Sequence, residues 1–181
     1  MSRARGEERG ARDERFHTPS LAPGASSLSV RAATLEDLET VVALRLALLR
    51  EHGTNPVYRR LRPDAPERAL KLFAAQLSSS YEVTYLAERG GEVVGILRCV
   101  ESAGSPLLDP PAYGYVSSVY VLPRARRQGV LKALLDHAVR WCERRNLHEI
   151  RLHSTSDGDS ANAAWTALGF EIVEHLRVRE L

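Results

Sequence analysis

The sequence has few cysteines and no long hydrophobic run, and each shortage excludes a class of protein. Cys99 and Cys142 are its only cysteines, and both lie among apolar neighbours, so we expect neither a disulfide framework nor a metal site. The nearly apolar segment 41–49 is interrupted by charge and is far shorter than the ~20 residues that a membrane-spanning helix needs. We therefore expect no membrane partner, and reduced cysteines fit a cytoplasmic location.

The balance of charge argues against a nucleic-acid partner. The chain has 25 lysines and arginines against 23 acidic residues, which gives a net charge of +2. Nucleic-acid binders usually carry a clear basic excess or a basic stripe. Apolar residues make up 44% of the 181 residues, which is enough for one domain with its own core.

Composition divides the chain at about residue 27. Residues 1–27 contain few large apolar side chains, mix arginine with acidic residues, and then become rich in Pro, Ser, Gly and Ala. This composition is typical of a flexible tail, and it lacks the apolar core of a secretory signal. A basic arm that touches nucleic acid is the alternative, but the acidic residues offset most of its charge. Residues 28–181 are predicted to form a single domain.

From residue 28 onward, hydrophobic periodicity predicts strands that alternate with helices. Thr34 and Asp37 have the spacing of a capping box before the first helix. The predicted order, β-α-α-β-β-β-α-β-α-β, describes a mixed α/β sheet with helices packed on it. The predicted strands are 28–33, 81–88, 92–100, 113–122, 149–154 and 170–180, and the predicted helices are about 38–49, 64–77, 131–145 and 161–168.

The segment from Val119 to Leu131 carries the clearest chemical signal. A β-rich strand ends at Pro123, a loop with three arginines follows, and Gly129 precedes an amphipathic helix. The first turn of a helix presents unpaired N–H groups and a partial positive charge, and glycine lets an anion approach the backbone. The segment fits a pyrophosphate-binding turn, although an ordinary strand–loop–helix has the same spacing. It contains neither a Walker loop nor a dinucleotide fingerprint.

Two segments together resemble the GNAT acetyltransferases. The acyl-CoA-binding pattern of that family, Arg/Gln-x-x-Gly-x-Gly/Ala after a Val-x-Pro strand end, is matched by Arg126 and Gly129, whereas Leu131 stands where Gly or Ala is usual. The stretch from Trp165 to Phe170 is similar to the family's Tyr-x-x-Leu-Gly-Phe segment. The resemblance implies a GNAT-like acyl-CoA N-acyltransferase fold, in which a central, mostly antiparallel sheet has one splayed parallel strand pair and helices on both faces.

The resemblance also implies a donor and a reaction. Acetyl-CoA would be the cosubstrate, and its acetyl group would pass directly to a primary amine of a small molecule, protein or peptide, without a metal. Dimers are common in the family, which suggests a homodimer. The family's usual asparagine falls on Gly158, so Asp157 or Asn162 could take over its contact to the cofactor, and Asn162 is the candidate chosen. The residues expected to hold the cofactor are Val119, Val121, Arg126, Arg127, Gln128, Gly129, Val130, Leu131 and Asn162.

No carboxylate stands out as the general base. His153 and Tyr115 are candidates because other family members carry glutamate at those places, and Glu101 is a third candidate. Trp165 replaces a tyrosine that is proposed to protonate the leaving thiolate, and an indole has no proton to offer. A catalytically degenerate domain that binds CoA as a sensor or interaction module is therefore the alternative function.

Acceptor specificity is expected from two loops, 51–63 and 103–111, because loops over a fixed scaffold usually carry it. Arg59, Arg60 and Arg62 in the first loop either attract an acidic substrate or are simply solvated.

Overall fold

A computed structural model describes residues 27–156 and 158–181. All but the last residue of the predicted flexible tail therefore lies outside the described residues. The described chain forms five strands and four α-helices. In chain order these are β1 (Leu28–Ala32), α1 (Leu38–Glu51), α2 (Ala65–Leu77), β2 (Glu82–Arg89), β3 (Glu92–Ala103), β4 (Ala112–Val121), α3 (Val130–Arg144), β5 (Ile150–Leu152) and α4 (Asp159–Ala167).

The strands form one mixed sheet in the order β1-β2-β3-β4-β5. The first four are antiparallel neighbours, and β5 pairs in parallel with β4. This last pairing is short, from Gly114 opposite Ile150 to Val116 opposite Leu152. A parallel neighbour requires a crossover, which α3 provides. The predicted mixed sheet with one parallel pair is confirmed.

Helices cover both faces of the sheet, because alternate strand residues point to opposite faces. On β3, Leu97 packs toward the α3 side, where Leu134 and Ala138 are buried. Its neighbour Ile96 packs toward α1 and α2, where Phe73 is buried. Burying each large side chain contributes about 1.5–3 kcal/mol, so both layers are held mainly by apolar packing.

The α3 helix lies very close to β4 at Gly114. A Cβ atom added there would come 2.4 Å from the Sγ of Cys142, which is far inside van der Waals contact. The Sγ atoms of Cys142 and Cys99 are 3.7 Å apart, and both cysteines are free and buried. Only glycine therefore allows helix and sheet to pack at this distance, and the cysteines act as small core residues.

One predicted element is wrong. The segment 170–180 is not a strand, since the described residues 169–181 form neither helix nor strand, and β5 is shorter than the predicted strand 149–154. Apolar side chains of this segment are exposed, among them Ile172, Val173 and Leu176. Alternating apolar residues favour a strand only when a neighbouring strand pairs with them. Within the described residues, no helix is long and apolar enough to cross a membrane.

Candidate functional site

A cleft of about 1080 Å³ opens where β4 and β5 separate. The two strands pair only as far as Val116, and beyond it the cleft runs along β4 to the start of α3. The end of α1 and the loop after it form one wall, and residues from 152–155 and 158–168 form the other. Among the described residues, no strand pairs with this edge of β4 after Val116, so its backbone groups other than the Val121 carbonyl, which accepts from Arg126, are available to a ligand.

A bulge in β4 turns the strand inside the cleft. The register between β3 and β4 shifts between Ile96 and Arg98, and Ser118 has a φ of 60°. Bulges bend a strand and re-aim its backbone, and a left-handed serine is a strained conformation that often accompanies function. Val119, which is part of the bulge, and Val121, which follows it, both line the cleft. An extended, amide-bearing ligand could pair with the backbone there as an added strand.

The first turn of α3 closes one end of the cleft. Gly129 is the N-cap with a φ of 80°, and the first intrahelical bond runs from the Ala133 N–H to its carbonyl at 3.0 Å. The N–H groups of Val130, Leu131 and Lys132 therefore have no intrahelical acceptor, and no side chain caps the helix. A Cβ on Gly129 would meet no atom within 4 Å, so the space beside the turn is open. This geometry suits an anion.

Arg126 fixes the loop before this turn. Its Nε donates to the Val121 carbonyl at 2.9 Å, and its Nη2 donates to both carboxylate oxygens of Glu51 at 2.7 and 2.8 Å. The pair ties the end of α1 to the loop and leaves the Arg126 charge largely neutralised. Arg127 is exposed, has a φ of 59° and makes no ion pair with another described residue. Its charge is therefore available to a ligand at the same turn.

Two residues predicted to hold the cofactor do not line the cleft. The Gln128 side chain bonds to Arg89 and donates to the Arg124 carbonyl at 2.8 Å. Asn162 donates to the Thr155 carbonyl at 2.9 Å and so closes the turn that leads into α4. The other seven line it: Val119, Val121, Arg126, Arg127, Gly129, Val130 and Leu131.

The structure brings Tyr115 and His153 into contact on the cleft wall. Tyr115 lies on β4 and His153 follows β5 directly, and the Tyr115 hydroxyl is 2.8 Å from the His153 Nδ1. Burial raises the pKa of Tyr115, and Tyr58 raises it further. The Tyr115 phenol therefore keeps its proton at neutral pH. It can donate this proton to the His153 imidazole while the phenol oxygen accepts a second proton from a ligand. Such a pair can pass a proton from the cleft toward solvent.

The remaining sequence candidates have structural partners. Glu101 accepts a bond from the Arg145 Nε at 2.9 Å and does not line the cleft. Trp165 lines the cleft and packs edge-on against Phe170, with ring centroids 5.4 Å apart. Trp165 therefore shapes the wall by packing.

Of the two loops expected to set acceptor specificity, the one after α1 lines the cleft, whereas no residue of 103–111 does. His52 and Tyr58 line it together with Arg45 of α1, which the sequence prediction missed. The predicted arginines of this loop are in ion pairs, Arg59 and Arg60 with Glu180 and Arg62 with Asp64. Arg45 had a visible signal, because it is the charge that interrupts the apolar segment 41–49.

All the residues described as lining the cleft except Arg45 lie in a segment that matches a known family. Residues 47–170 match the model of the Acetyltransferase (GNAT) family, a range that runs from the second half of α1 to the end of the turn after α4. A search of curated protein sequences finds no match to the chain.

Solved acetyltransferase structures share the fold. A predicted acetyltransferase from Clostridium acetobutylicum, solved with acetyl-CoA, has a TM-score of 0.69 and 20% identity, over 84% of this chain and 96% of that one. The aminoglycoside N-acetyltransferase AAC(6')-Iy in complex with CoA has a TM-score of 0.73 and 21% identity, over 89% of this chain and 99% of that one. The apo aminoglycoside 6'-N-acetyltransferase from Acinetobacter haemolyticus has a TM-score of 0.68 and 20% identity, over 84% of this chain and 97% of that one. At these identities the likeness establishes the fold.

Proposed function

Because the chain belongs to the acetyltransferase (GNAT) family, we propose that it transfers the acetyl group of acetyl-CoA to a primary amine by direct attack on the thioester. The acceptor is a small molecule or a peptide. One observation carries the proposal: a single cleft joins the uncapped first turn of α3 to the unpaired edge of β4. A diphosphate fits the first feature, and an amide-bearing arm fits the second.

The backbone and Arg127 account for binding of the donor. The free N–H groups at the start of α3 would accept the diphosphate, and Arg127 would add a charge-assisted bond. Arg126 would act as a positioning residue through Glu51, since its guanidinium already has protein partners. The unpaired N–H groups of β4 near Val119 would stabilise the negative charge that develops on the thioester oxygen.

Tyr115 and His153 account for the proton that the acceptor must lose. An aliphatic amine has a pKa near ~10.4 and is mostly protonated at neutral pH. The Tyr115 oxygen would first accept one proton from the ammonium group and pass its own proton to the His153 Nδ1, which frees the lone pair that attacks the thioester carbon. The second proton would leave the nitrogen by the same route as the C–N bond forms. His153 is exposed, so it can release that proton to water. The C–S bond breaks in the same transfer, and the thiolate, whose pKa lies near ~8.5, leaves without a dedicated acid.

A screen of amines tests the proposal. Purified protein would be given acetyl-CoA with a panel of amino acids, peptides, polyamines and aminoglycosides, and free thiol would be measured together with the mass of each product. We expect thiol release that depends on the amine and an equal amount of N-acetylated product. If CoA binds by calorimetry but every amine is silent, the enzyme assignment fails.

That failure would favour a CoA-binding sensor or interaction module. Two residues of the cleft support this alternative. Trp165 and Leu131 line it where the family usually has a tyrosine and a small residue. Neither substitution removes a group that the proposed chemistry needs, because the diphosphate contacts are backbone N–H groups and the thiolate is a good leaving group.

A further inference from the structure

Arg45 is an unpaired cation in the wall of the cleft. It lies in the middle of α1 between buried Leu44 and Leu46, and its side chain lines both this cleft and a smaller adjoining cavity. Its Nε is buried without a hydrogen-bond partner. Arg45 makes no ion pair within the part of the chain that the structure describes. Buried polar groups without a partner are rare in folded proteins and cost free energy, so this one requires an explanation.

The groups around Arg45 do not neutralise it. Its guanidinium carbon lies 5.7 Å from the centroid of the Phe73 ring, a weak interaction. Arg98 is a second cation nearby, but its charge is compensated by Glu82, and it also donates to the Ser117 hydroxyl at 3.1 Å. Burial lowers the pKa of Arg45, and the nearby charge of Arg98 lowers it further. The charge of Arg45 therefore has no counter-ion in the described protein.

The wall around Arg45 also has no free carboxylate. Of the described residues that line the cleft, only Glu51 and Asp159 are acidic, and Glu51 is bound to Arg126. Asp159 begins α4, on the opposite wall. Besides Glu51, the polar residues that line the cleft on the α1 side are Arg45, His52 and Tyr58. A polycationic acceptor such as an aminoglycoside would find no free carboxylate on this wall.

We propose that Arg45 binds an oxyanion of the acceptor, so that the substrates are amines that also carry a carboxylate or a phosphate, such as amino acids and short peptides. This inference rests on the proposed function, because it names the acceptor for the same cleft. A guanidinium offers two parallel N–H donors that match a carboxylate or phosphate. The bound anion would supply the missing counter-ion, and the pairing would orient the amine toward Tyr115.

Matched acceptors and variants of Arg45 test the inference. Each amino acid of the panel would be compared with its amide, which keeps the amine and loses the anion, and phosphoethanolamine would be compared with ethanolamine to separate carboxylate from phosphate. We expect the wild-type protein to prefer the anionic member of a pair by about tenfold or more in kcat/KM. Arg45→Gln should abolish this preference and leave the KM for acetyl-CoA unchanged. Arg50→Gln, an exposed arginine of α1 outside the cleft, is the control.

A stability measurement separates a ligand-binding arginine from a structural one. A charged group that is buried without a partner costs free energy, and an apolar side chain of similar length avoids that cost. We therefore expect Arg45→Met to have a Tm equal to or above that of the wild-type protein without ligand, and to lose the anion preference as Arg45→Gln does. A large fall in Tm for Arg45→Met would assign Arg45 to the fold and overturn the inference.

A binding readout distinguishes failure of this inference from failure of the proposed function. CoA-loaded protein would be titrated calorimetrically with N-acetyl amino acids and with their amides. If no amine is acetylated but the carboxylates bind and Arg45→Gln loses them, the anion site stands and the proposed enzyme function fails. If amines are acetylated with no preference for the anionic member, or if Arg45→Gln keeps the preference, the enzyme function stands and the anion site is refuted. If the protein neither acetylates an amine nor binds a carboxylate, both the enzyme function and the anion site are refuted.

Discussion

The Tyr115 hydroxyl and the His153 Nδ1 lie 2.8 Å apart, which joins two residues that the sequence offers only as separate candidates. Parallel pairing of β4 with β5 sets Tyr115 opposite Arg151, and His153 follows two residues later on the same side of the sheet. The contact lies where the strands separate, on the wall of the cleft. A proton accepted by one side chain can therefore be passed to the other.

Tyr115→Phe removes the oxygen of this pair and keeps the ring. We expect kcat to fall about 10²- to 10⁴-fold, the range for losing a general acid–base group, with the KM for acetyl-CoA little changed. Steady-state kinetics on an active amine measures both. Tyr113→Phe is the control, because Tyr113 is on the same strand but outside the cleft, and its ring stacks with Arg151. Full activity in Tyr115→Phe would rule out the relay.

Arg127 is predicted to bind the donor, whereas Arg124 is not. Arg124 is an exposed arginine in the same loop, is paired with Glu92 and does not line the cleft. We expect Arg127→Ala to weaken CoA binding by about fivefold at low salt, with the loss shrinking as salt is added, because the contact is exposed to solvent. Calorimetry at two salt concentrations measures this loss. An equal loss in Arg124→Ala would mean that only the overall charge matters.

Gly114→Ala tests the close packing of α3 on β4. The added methyl would lie 2.4 Å from the Cys142 Sγ, and we expect a loss of about 1–3 kcal/mol in the free energy of unfolding. Because the other neighbours of that methyl are at 3.4 Å or more, Cys142→Ala should relieve the clash. The double variant should then lose at least about 1 kcal/mol less than the sum of the single variants, measured by denaturant unfolding. Additive losses would contradict this account.

Asp37 is predicted to stabilise the fold above acidic pH. Two Arg31 nitrogens donate to its carboxylate at 2.7 Å each, and these bonds lower its pKa from 3.8 to about 2. Because the folded pKa lies below the ordinary value, the contribution is fully present above pH 3.8 and is lost as the pH falls toward 2. Asp37→Asn should cost about 1 kcal/mol at neutral pH. The difference from wild type should shrink below pH 3.8 in urea unfolding, and a difference that does not vary with pH would contradict the assignment.

Much of this fold could be predicted because its signals are local. The amphipathic pattern of α3 and the Thr34–Asp37 spacing each act over a few residues. The structure bears out the last of these, since the Thr34 N–H donates to the Asp37 carboxylate at 2.8 Å. A local pattern also places Gly129 correctly at the start of α3.

The features that were missed depend on distant residues. The segment 170–180 alternates as a strand should, but pairing requires a neighbour that the local pattern cannot reveal. Gln128 belongs to the right loop, yet its side chain is occupied by Arg89, a residue of another strand. Arg45 is visible in the sequence only as a charge in an apolar stretch, and its meaning depends on the absence of a counter-ion among the residues that the structure describes.

The affinity of Gly129→Glu for CoA decides whether the first turn of α3 receives the diphosphate, because the added carboxylate would occupy the place of that group. Gly91→Glu is the matched control. Gly91 has a φ of 79° against 80° for Gly129, a Cβ at either position meets no atom within 4 Å, and Gly91 lies outside the cleft. Both variants therefore carry the same added charge and a similar backbone strain. We expect calorimetry to find no CoA binding in Gly129→Glu and wild-type affinity in Gly91→Glu. Wild-type affinity in Gly129→Glu would show that the first turn of α3 does not receive the diphosphate.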